Sequence, residues 1–549
     1  MRVKFNWRRP HRGETGRAQH ALWAALTVLL LVAPATQTPA QQSRATYTNP
    51  VIAGDFPDPS VIRVGQDYWA AATSGEWAPL FPILHSRDLV NWEVAGAVFQ
   101  KRPEWAVRNF WAPEIEEDRG RFFVYYTGRK KNGPLCVAVA TAARPTGPYM
   151  DHGPLVCESI GSIDPFTTRD ENGQLYLIWK EDGNSQGKPT RIWAQKLSDE
   201  GTKLTGSKKE LFRNDALWEK HVVEGSFIMR RYGWFYHFYS GNACCGRGCD
   251  YALGVARSRK LLGPWEKNPA NPILAANETW QCPGHGSIVT DEQGRTFLLY
   301  HAYKRSEDFV QIGREALLDE VQWGTDGWPI INNRKGPGTQ NTAPHNTVQR
   351  DNQGFFTDDF TAPRLSADWQ WPQANEPLVN LEPGGGGYLI LTPRKESAQS
   401  ITGAILAVPT RTGDYVATAV VDARALKPGA RAGLAAFQDD ENTLGMVIGD
   451  GKVFVWRREG GKEQIIKTLD APKAMTIHLR MTVNDGYMFR FATSQNGREW
   501  SEAGEPVNGS YLEGIRVALV TGGARDAFAR FESVSISALQ RVSDQKAVK

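Results

Sequence analysis

EGSFIMRRYGWFYHFYS, residues Glu224 to Ser240, is the stretch from which the rest of the chain can be read. It opens on a lone carboxylate beside Gly225 and Ser226, then runs through an apolar segment. It turns at Arg230 and Arg231 and closes on aromatic residues from Trp234 to Tyr239. Two short strands joined by a tight turn explain that order. A lone glutamate is most often a solvated edge residue. At the mouth of a hairpin, ahead of a buried run, it can instead be a carboxyl group of raised pKa. The recurrence of the hairpin favours the second reading.

Its second half returns as GQDYWAAATS from Gly65, GRFFVYYTG from Gly120, GQLYLIWK from Gly173 and GRTFLLYHAY from Gly294. The turn exits, Tyr68, Phe122, Tyr176, Trp234 and Phe297, are spaced by 54, 54, 58 and 63 residues. Runs of small and β-branched residues follow most copies, such as LCVAVATA and YALGVARS, and no segment has the period of an amphipathic helix. One four-stranded unit cannot bury both of its faces. Packing each sheet between two neighbours and closing the circle removes the exposed faces, so five such units predict a five-bladed β-propeller over residues 45–332. A β-sandwich with long loops would need no five-fold recurrence.

The phase of the repeat carries the functional signal. Just before the first strand of each copy stands a distinctive residue: Asp58, the Phe110–Trp111 pair, Asp164, Glu224 and His285. Innermost propeller strands line the axis, so these positions are expected to meet in one pit although more than 160 residues of chain separate Asp58 from Glu224. Asp58 lies between Pro57 and Pro59, which fix the backbone around it. Phe110 and Trp111 read either as core or as rings offered to a sugar face. Three carboxylates in one pocket are costly unless chemistry or a cation uses them, and like charges push one pKa upward.

The 549-residue chain is long enough for two or three domains. Its 19 Trp and 16 Tyr suit both blade packing and sugar platforms. The formal charge of +4 is small, and much of the excess sits in residues 1–20. No basic stripe remains to mark a nucleic-acid surface. That basic head precedes ALWAALTVLLLVA, Ala21 to Ala33, then Pro34, Pro39 and Ala40. The order is that of a signal peptide over residues 1–40, with an uncleaved anchor as the alternative, and it predicts an exported protein with no membrane contact after cleavage. Six cysteines fit export. Cys244, Cys245 and Cys249 cluster in GNACCGRGCD without the usual zinc spacing, so disulfides are expected there, with Cys136, Cys157 and Cys282 also available.

Residues 333–352 lose the apolar period and read as a linker. Residues 353–549 show short alternating runs between Gly- and Asp-rich turns, which predicts a β-sandwich. Asp358, Asp359 and Asp526 there are candidates for a structural calcium ion or simply surface carboxylates.

NPVIAGDFPDPSVIR, NFWAPEI, SIDPFT, VEGSFIMRRYGWFYHFYS and IGREALLDEVQWGTDGWPI, in that order, resemble glycoside hydrolase family 43. The resemblance spans residues 47–330, and residues 354–540 resemble the concanavalin-like domain that follows some of its β-xylosidases and arabinofuranosidases, which implies a jelly roll of the concanavalin or laminin-G kind. It implies an inverting hydrolase in which Asp58 is the general base, Asp164 the aspartate that modulates pKa, and Glu224 the general acid. It also implies a sugar pocket lined by Phe110 and Trp111, Arg314 contacting the non-reducing sugar, and Phe355 or Phe356 closing part of the pocket. His285 matches a histidine that in many members helps hold a hydrated calcium ion; no cofactor enters the chemistry. The expected substrates are glycans from which α-L-arabinofuranosyl or β-D-xylosyl units are released. β-D-Galactofuranosidase activity and non-catalytic carbohydrate binding are the alternatives. GNACCGRGCD departs from the plainer loop expected after the fourth copy, at the rim where substrate subclass is set. Oligomeric state is not legible.

Overall fold

The computed structural model describes residues 45–305, 312–344, 347–351, 356–384 and 386–539. The expected signal peptide and Phe355 lie outside them. The described chain is all-β, with only short 3-10 turns between strands.

Its first part forms five four-stranded antiparallel sheets, each built from strands in chain order, the first interrupted only by Trp77–Ala78, which pairs elsewhere. The first strands of the five are Ser60–Val64, Ala106–Asp118, Ser162–Arg169, Val223–Arg231 and Trp280–Thr290. Each pairs across a tight turn with the aromatic strand seen in the repeat. The turn glycines Gly65, Gly120, Gly173, Gly233 and Gly294 all have φ between +64° and +85°, a left-handed conformation that a β-branched or aromatic residue resists. The same turn chemistry therefore fixes the same register five times.

Apolar side chains fill the space between successive sheets. Phe81, Phe110 and Tyr126 pack between the first and second, and Tyr125, Leu177 and Trp179 between the second and third. Tyr176, Ile178 and Phe235 pack between the third and fourth, and Phe238, Val255 and Tyr300 between the fourth and fifth. Val61, Tyr68, Phe297 and Leu318 pack between the fifth and first. At each of these junctions a hydroxyl from a strand of one sheet, or from Thr190 directly ahead of one, also accepts a backbone N–H from the first strand of the next. The donors are Ile115 to Ser60 Oγ (3.1 Å), Asp164 to Thr127 Oγ1 (3.2 Å), Val223 to Thr190 Oγ1 (2.7 Å), His285 to Ser240 Oγ (2.8 Å) and Val61 to Ser287 Oγ (3.1 Å). Asp164 and His285 lie within bulges of their strands, and each hydroxyl gives a buried amide of a first strand a partner that its own sheet does not supply.

Part of the segment expected to be a linker is paired with the start of the first domain. Gln340–Thr342 pairs with Thr46–Thr48, and the Gln349 side chain accepts from Thr48 N and donates to Thr48 O. Backbone pairing with the strand at residue 46 replaces the side-chain pattern that sequence reading depends on.

From Phe356 the chain forms two large antiparallel sheets around a core that includes Trp369, Leu434, Met446, Leu479, Phe489 and Phe531. This domain is joined to the first along a second apolar seam. Trp77 inserts against Ile405, Phe437, Trp456 and Val520, and Trp77–Ala78 pairs with Trp371–Pro372 as a two-stranded sheet. Asp358, Asp359 and Asp526 are committed elsewhere. Asp358 accepts from Trp369 Nε1 (2.8 Å), Asp359 from Thr361, and Asp526 pairs with Lys427 at 2.8 Å.

Candidate active site

The five first strands share a backbone irregularity at or near the pit, which on the second strand falls at Ala112, beside Trp111, with φ 40°. Asp58, Asp164 and His285 have φ of 53°, 54° and 44°, and Gly225, directly after Glu224, has φ 62°. Left-handed conformations in non-glycine residues are costly and persist where surrounding structure imposes them. Here they turn side chains that would follow the sheet's alternation towards a common pit.

Asp58 is gripped from several sides. Arg314 Nη1 donates to Oδ1 at 3.0 Å and Thr73 Oγ1 to Oδ2 at 2.7 Å. His285 Nδ1 lies 3.4 Å from Oδ1. Burial by itself would raise the carboxyl's pKa, but the charge of Arg314 and the imidazole of His285 override it and hold Asp58 well below the usual carboxylate range. His301 Nδ1 is 3.1 Å from the Asp58 amide and 3.2 Å from Oδ1. The amide can only donate, so Nδ1 accepts from it, and burial keeps that imidazole neutral by lowering its pKa to about 4.

Asp164 Oδ2 accepts the Gly225 N–H at 3.1 Å and lies 4.0 Å from His285 Nδ1. His285 thus bridges Asp58 and Asp164, and the backbone joins Asp164 to Glu224. Glu224 itself receives Lys180 Nζ on Oε2 at 2.6 Å and Tyr251 O–H on Oε1 at 2.8 Å. The three carboxylates are brought together, in two electrostatic settings. Burial, with the neighbouring Glu224 charge, pushes Asp164 up to about 6 against the opposing pull of His285 and Lys180. Burial would raise Glu224 too, but the buried Lys180 ammonium overrides it and lowers it. Without substrate, the raised pKa therefore belongs to Asp164, whereas the sequence reading assigned it to Glu224. The cause is Lys180, 1% exposed, which also reaches Asp182 at 3.2 Å.

Arg314 joins this pit through Asp58, and Trp111 stands half-buried on the second sheet next to Ala112, whose amide donates to Thr73 Oγ1 at 2.6 Å. Two expected substrate contacts are not made. Phe110 is fully buried, its ring edge-on to Phe81 at 6.1 Å, because strand alternation sends it into the core and its neighbour Trp111 the other way. Phe356 packs edge-on to Trp369 at 5.2 Å beside the core of the second domain, where its strand pairs with Ala529–Ala538.

Sequence reading missed Thr73, Lys180, Tyr251 and His301. A signal for three of them was present. Four to six residues past each turn exit, late in the aromatic strand or just beyond it, stands a polar residue, Thr73, Thr127, Lys180, Ser240 and His301, and each of these bonds a residue at the pit or its backbone. Tyr251 follows the cysteine loop and has no such phase.

The calcium expectation can be tested on the donors. Calcium takes about six to eight oxygen ligands. Around His285 stand two carboxylates already engaged by Arg314, Thr73 and the Gly225 amide, with the imidazole occupying the space between them. Among the described residues, no group of three or more His, Cys, Asp or Glu side chains has metal-holding geometry. These side chains offer no direct cage for calcium, so an ion near His285 would keep most of its water, as expected for the hydrated ion.

The cysteines pair as Cys136–Cys157, Cys244–Cys245 and Cys249–Cys282. The last two shape the loop leading to Tyr251, which packs with Cys282 and Tyr303. Arg247 of this loop also pairs with Glu513 of the second domain at 3.1 Å.

Comparison with known proteins completes the description. Residues 47–329 match the family described as Glycosyl hydrolases family 43, and residues 357–522 match the Beta xylosidase C-terminal Concanavalin A-like domain. A xylosidase/arabinosidase 43B of Humicola insolens is 31% identical over 349 residues, which are 60% of this chain and 62% of that one. A xylosidase/arabinosidase of Butyrivibrio fibrisolvens is 28% identical over 73% of this chain and 79% of its own. The first of these matches therefore spans less than two thirds of its relative. The crystal structure of the GH43 BlXynB protein from Bacillus licheniformis superposes with a TM-score of 0.78 at 27% identity, covering 90% of this chain and 100% of that one. At 22% identity, xylan beta-1,4-xylosidase from Bacillus halodurans C-125 shares the fold, with a TM-score of 0.75 over 89% of this chain and 99% of its own.

Proposed function

The chain belongs to glycosyl hydrolases family 43, and from that premise we propose that it is an exo-acting, inverting glycoside hydrolase releasing α-L-arabinofuranosyl or β-D-xylosyl units from glycans. The observation that carries this reading is the set Asp58, Asp164 and Glu224 around His285, with Arg314 on the Asp58 side and Lys180 on the Glu224 side. An inverting enzyme needs an ionised carboxylate to activate water and a carboxylic acid to protonate the leaving oxygen, about 6.5–9.5 Å apart. Asp58, held ionised by Arg314 and His285, suits the base. Glu224 suits the acid, drawing on the proton that the Asp164–Glu224 pair holds below about pH 6. Trp111 supplies a ring beside the sugar. In this reading the five sheets form a closed five-bladed propeller, supported by the five apolar junctions and the five hydroxyl–amide bonds that run from each sheet to the next. We read the chain as exported. Three disulfides and the charged, apolar, small-residue order of residues 1–40 support that.

Nitrophenyl α-L-arabinofuranoside, β-D-xyloside and β-D-galactofuranoside, assayed side by side with the product anomer followed by NMR, test the function. Inverted arabinose or xylose is expected. A retained anomer would replace single displacement with a nucleophilic role for Asp58, and cleavage of the galactofuranoside alone would overturn the sugar assignment.

A further inference from the structure

The general base of the proposed reaction lies in the first domain, yet its support reaches into the second. Arg516 begins the strand Arg516–Gly522 of the second domain and is 3% exposed. Its guanidinium donates to Gln370 Oε1 at 2.9 Å and to Gly514 O at 2.8 Å, and it lies 4.4 Å from the centre of the Trp77 ring. Both terminal nitrogens also approach Oδ2 of Asp55 at 3.4 Å, across the domain boundary. The other oxygen of that carboxylate, Oδ1, accepts the backbone N–H of Arg314 at 3.1 Å. Gly313 is pressed so closely on Asp55 that a Cβ there would come within 2.4 Å of the carboxylate. The Arg314 guanidinium then reaches Asp58 Oδ1 at 3.0 Å.

We propose that Arg516 is a positioning residue for the sugar pit, acting through Asp55 on Arg314 and through Arg314 on Asp58. The inference rests on the glycosidase reading for its kinetic consequence and on geometry alone for its structural one. Asp55 has one oxygen committed to each domain. Its position, and so that of the Arg314 backbone, depends on where Arg516 stands. Arg516 is fixed in turn by two neutral acceptors and an aromatic face that do not belong to the pit. Lysine cannot reproduce this, because a single ammonium lacks the planar fork that reaches Gln370, Gly514 and Asp55 together. A simple adhesive contact between domains would require no such link from Asp55 to the backbone of a pit residue.

The test uses the full chain with Arg516→Lys, Asp55→Asn and the double variant. The glycoside is whichever one wild type cleaves best. Each single variant is expected to lower kcat/KM by about ten-fold or more, since small misplacements of catalytic groups are expensive in rate. The double variant should fall no further than about two-fold below the worse single, because both changes break one relay. Losses that multiply, or either single variant within about two-fold of wild type, would overturn the proposal. Crystal structures of the two single variants supply the arm that needs no activity. Arg314 should leave Asp58 or shift its backbone in both. A retained 3.0 Å contact with an unmoved backbone would overturn the relay whatever the enzyme cleaves. Inactivity of the wild type on every glycoside would instead overturn the glycosidase reading alone. Should Arg516→Lys fail to fold, Asp55→Asn answers both arms.

Discussion

Glu224 meets a counter-charge before it meets a substrate, and the residue-scale expectations follow from that. Lys180 Nζ at 2.6 Å favours the ionised acid, so Lys180→Met should leave Glu224 buried without its partner and easier to protonate. The basic limb of the kcat/KM profile is expected to move to higher pH, and stability at neutral pH to fall by about 3–5 kcal/mol, as when one member of a buried pair is lost. An unmoved limb would remove Lys180 from control of the acid. Asp164 offers a stability test with a definite sign. Its pKa is raised from 3.8 to about 6 on folding, so the folded state binds the proton more tightly. That contribution is present in full below about pH 4 and lost as pH rises through about 6. Asp164→Asn should therefore gain stability over wild type at pH 8 by up to about 3 kcal/mol relative to the same comparison at pH 4, while losing activity. Equal urea-unfolding differences at both pH values would contradict the raised pKa. The two reacting carboxylates separate by leaving group. Asp58→Asn should lose about 10²–10⁴-fold on every glycoside, whereas Glu224→Gln should largely spare dinitrophenyl glycosides, which depart without a proton. Equal losses on good and poor leaving groups would deny Glu224 the acid role.

At the scale of the element, the repeated hydroxyl–amide bond joins fold to site. Ser287 and Ser60 serve amides of ordinary strand residues, Val61 and Ile115, whereas Ser240 serves the amide of His285. Ser240→Ala should leave that N–H unsatisfied at a cost of about 1–3 kcal/mol and let His285 shift against Asp58 and Asp164. Ser287→Ala should cost a similar amount of stability with little loss of kcat. Parallel unfolding and kinetic measurements distinguish them, and the same kcat in both variants would deny the Ser240 bond any special part in placing His285. The same elements explain the strained backbone. Bulges in the first strands of the second to fifth sheets interrupt sheet alternation, and at Asp164 and His285 the neighbouring hydroxyl satisfies the amide that the bulge displaces.

For the whole molecule, the second domain is part of what completes the site. Trp77 is buried against Ile405, Phe437 and Val520, and the Arg247–Glu513 pair ties the loop before Tyr251 to the same domain. A chain ending at residue 344 would expose that apolar seam and release both Asp55 and Arg247. It is expected to aggregate or to lose about 10²-fold or more in kcat/KM, read from soluble yield and initial rates. A soluble truncated form of full activity would refute this dependence. No described helix is long and apolar enough to cross a membrane.

The sequence by itself determined what repeats and what alternates. Five aromatic hairpins at near-constant spacing, with glycine at each turn, announced five sheets, because turn geometry and two-residue alternation are local properties. The shared phase of Asp58, Asp164, Glu224 and His285 was local in the same sense, and so was the polar residue four to six places past each turn exit, though only its regularity could have singled out Lys180. Tertiary structure alone decided partnerships. Lys180 lies 44 residues from Glu224, and Arg516 lies 461 from Asp55, separations at which sequence holds no distance information. It also decided which of two adjacent rings faces the core, sending Phe110 inward, and which member of a carboxylate pair has the raised pKa. That last property depends on the position of one buried ammonium a few ångströms away, because Coulomb interaction in a desolvated pit is set by distance.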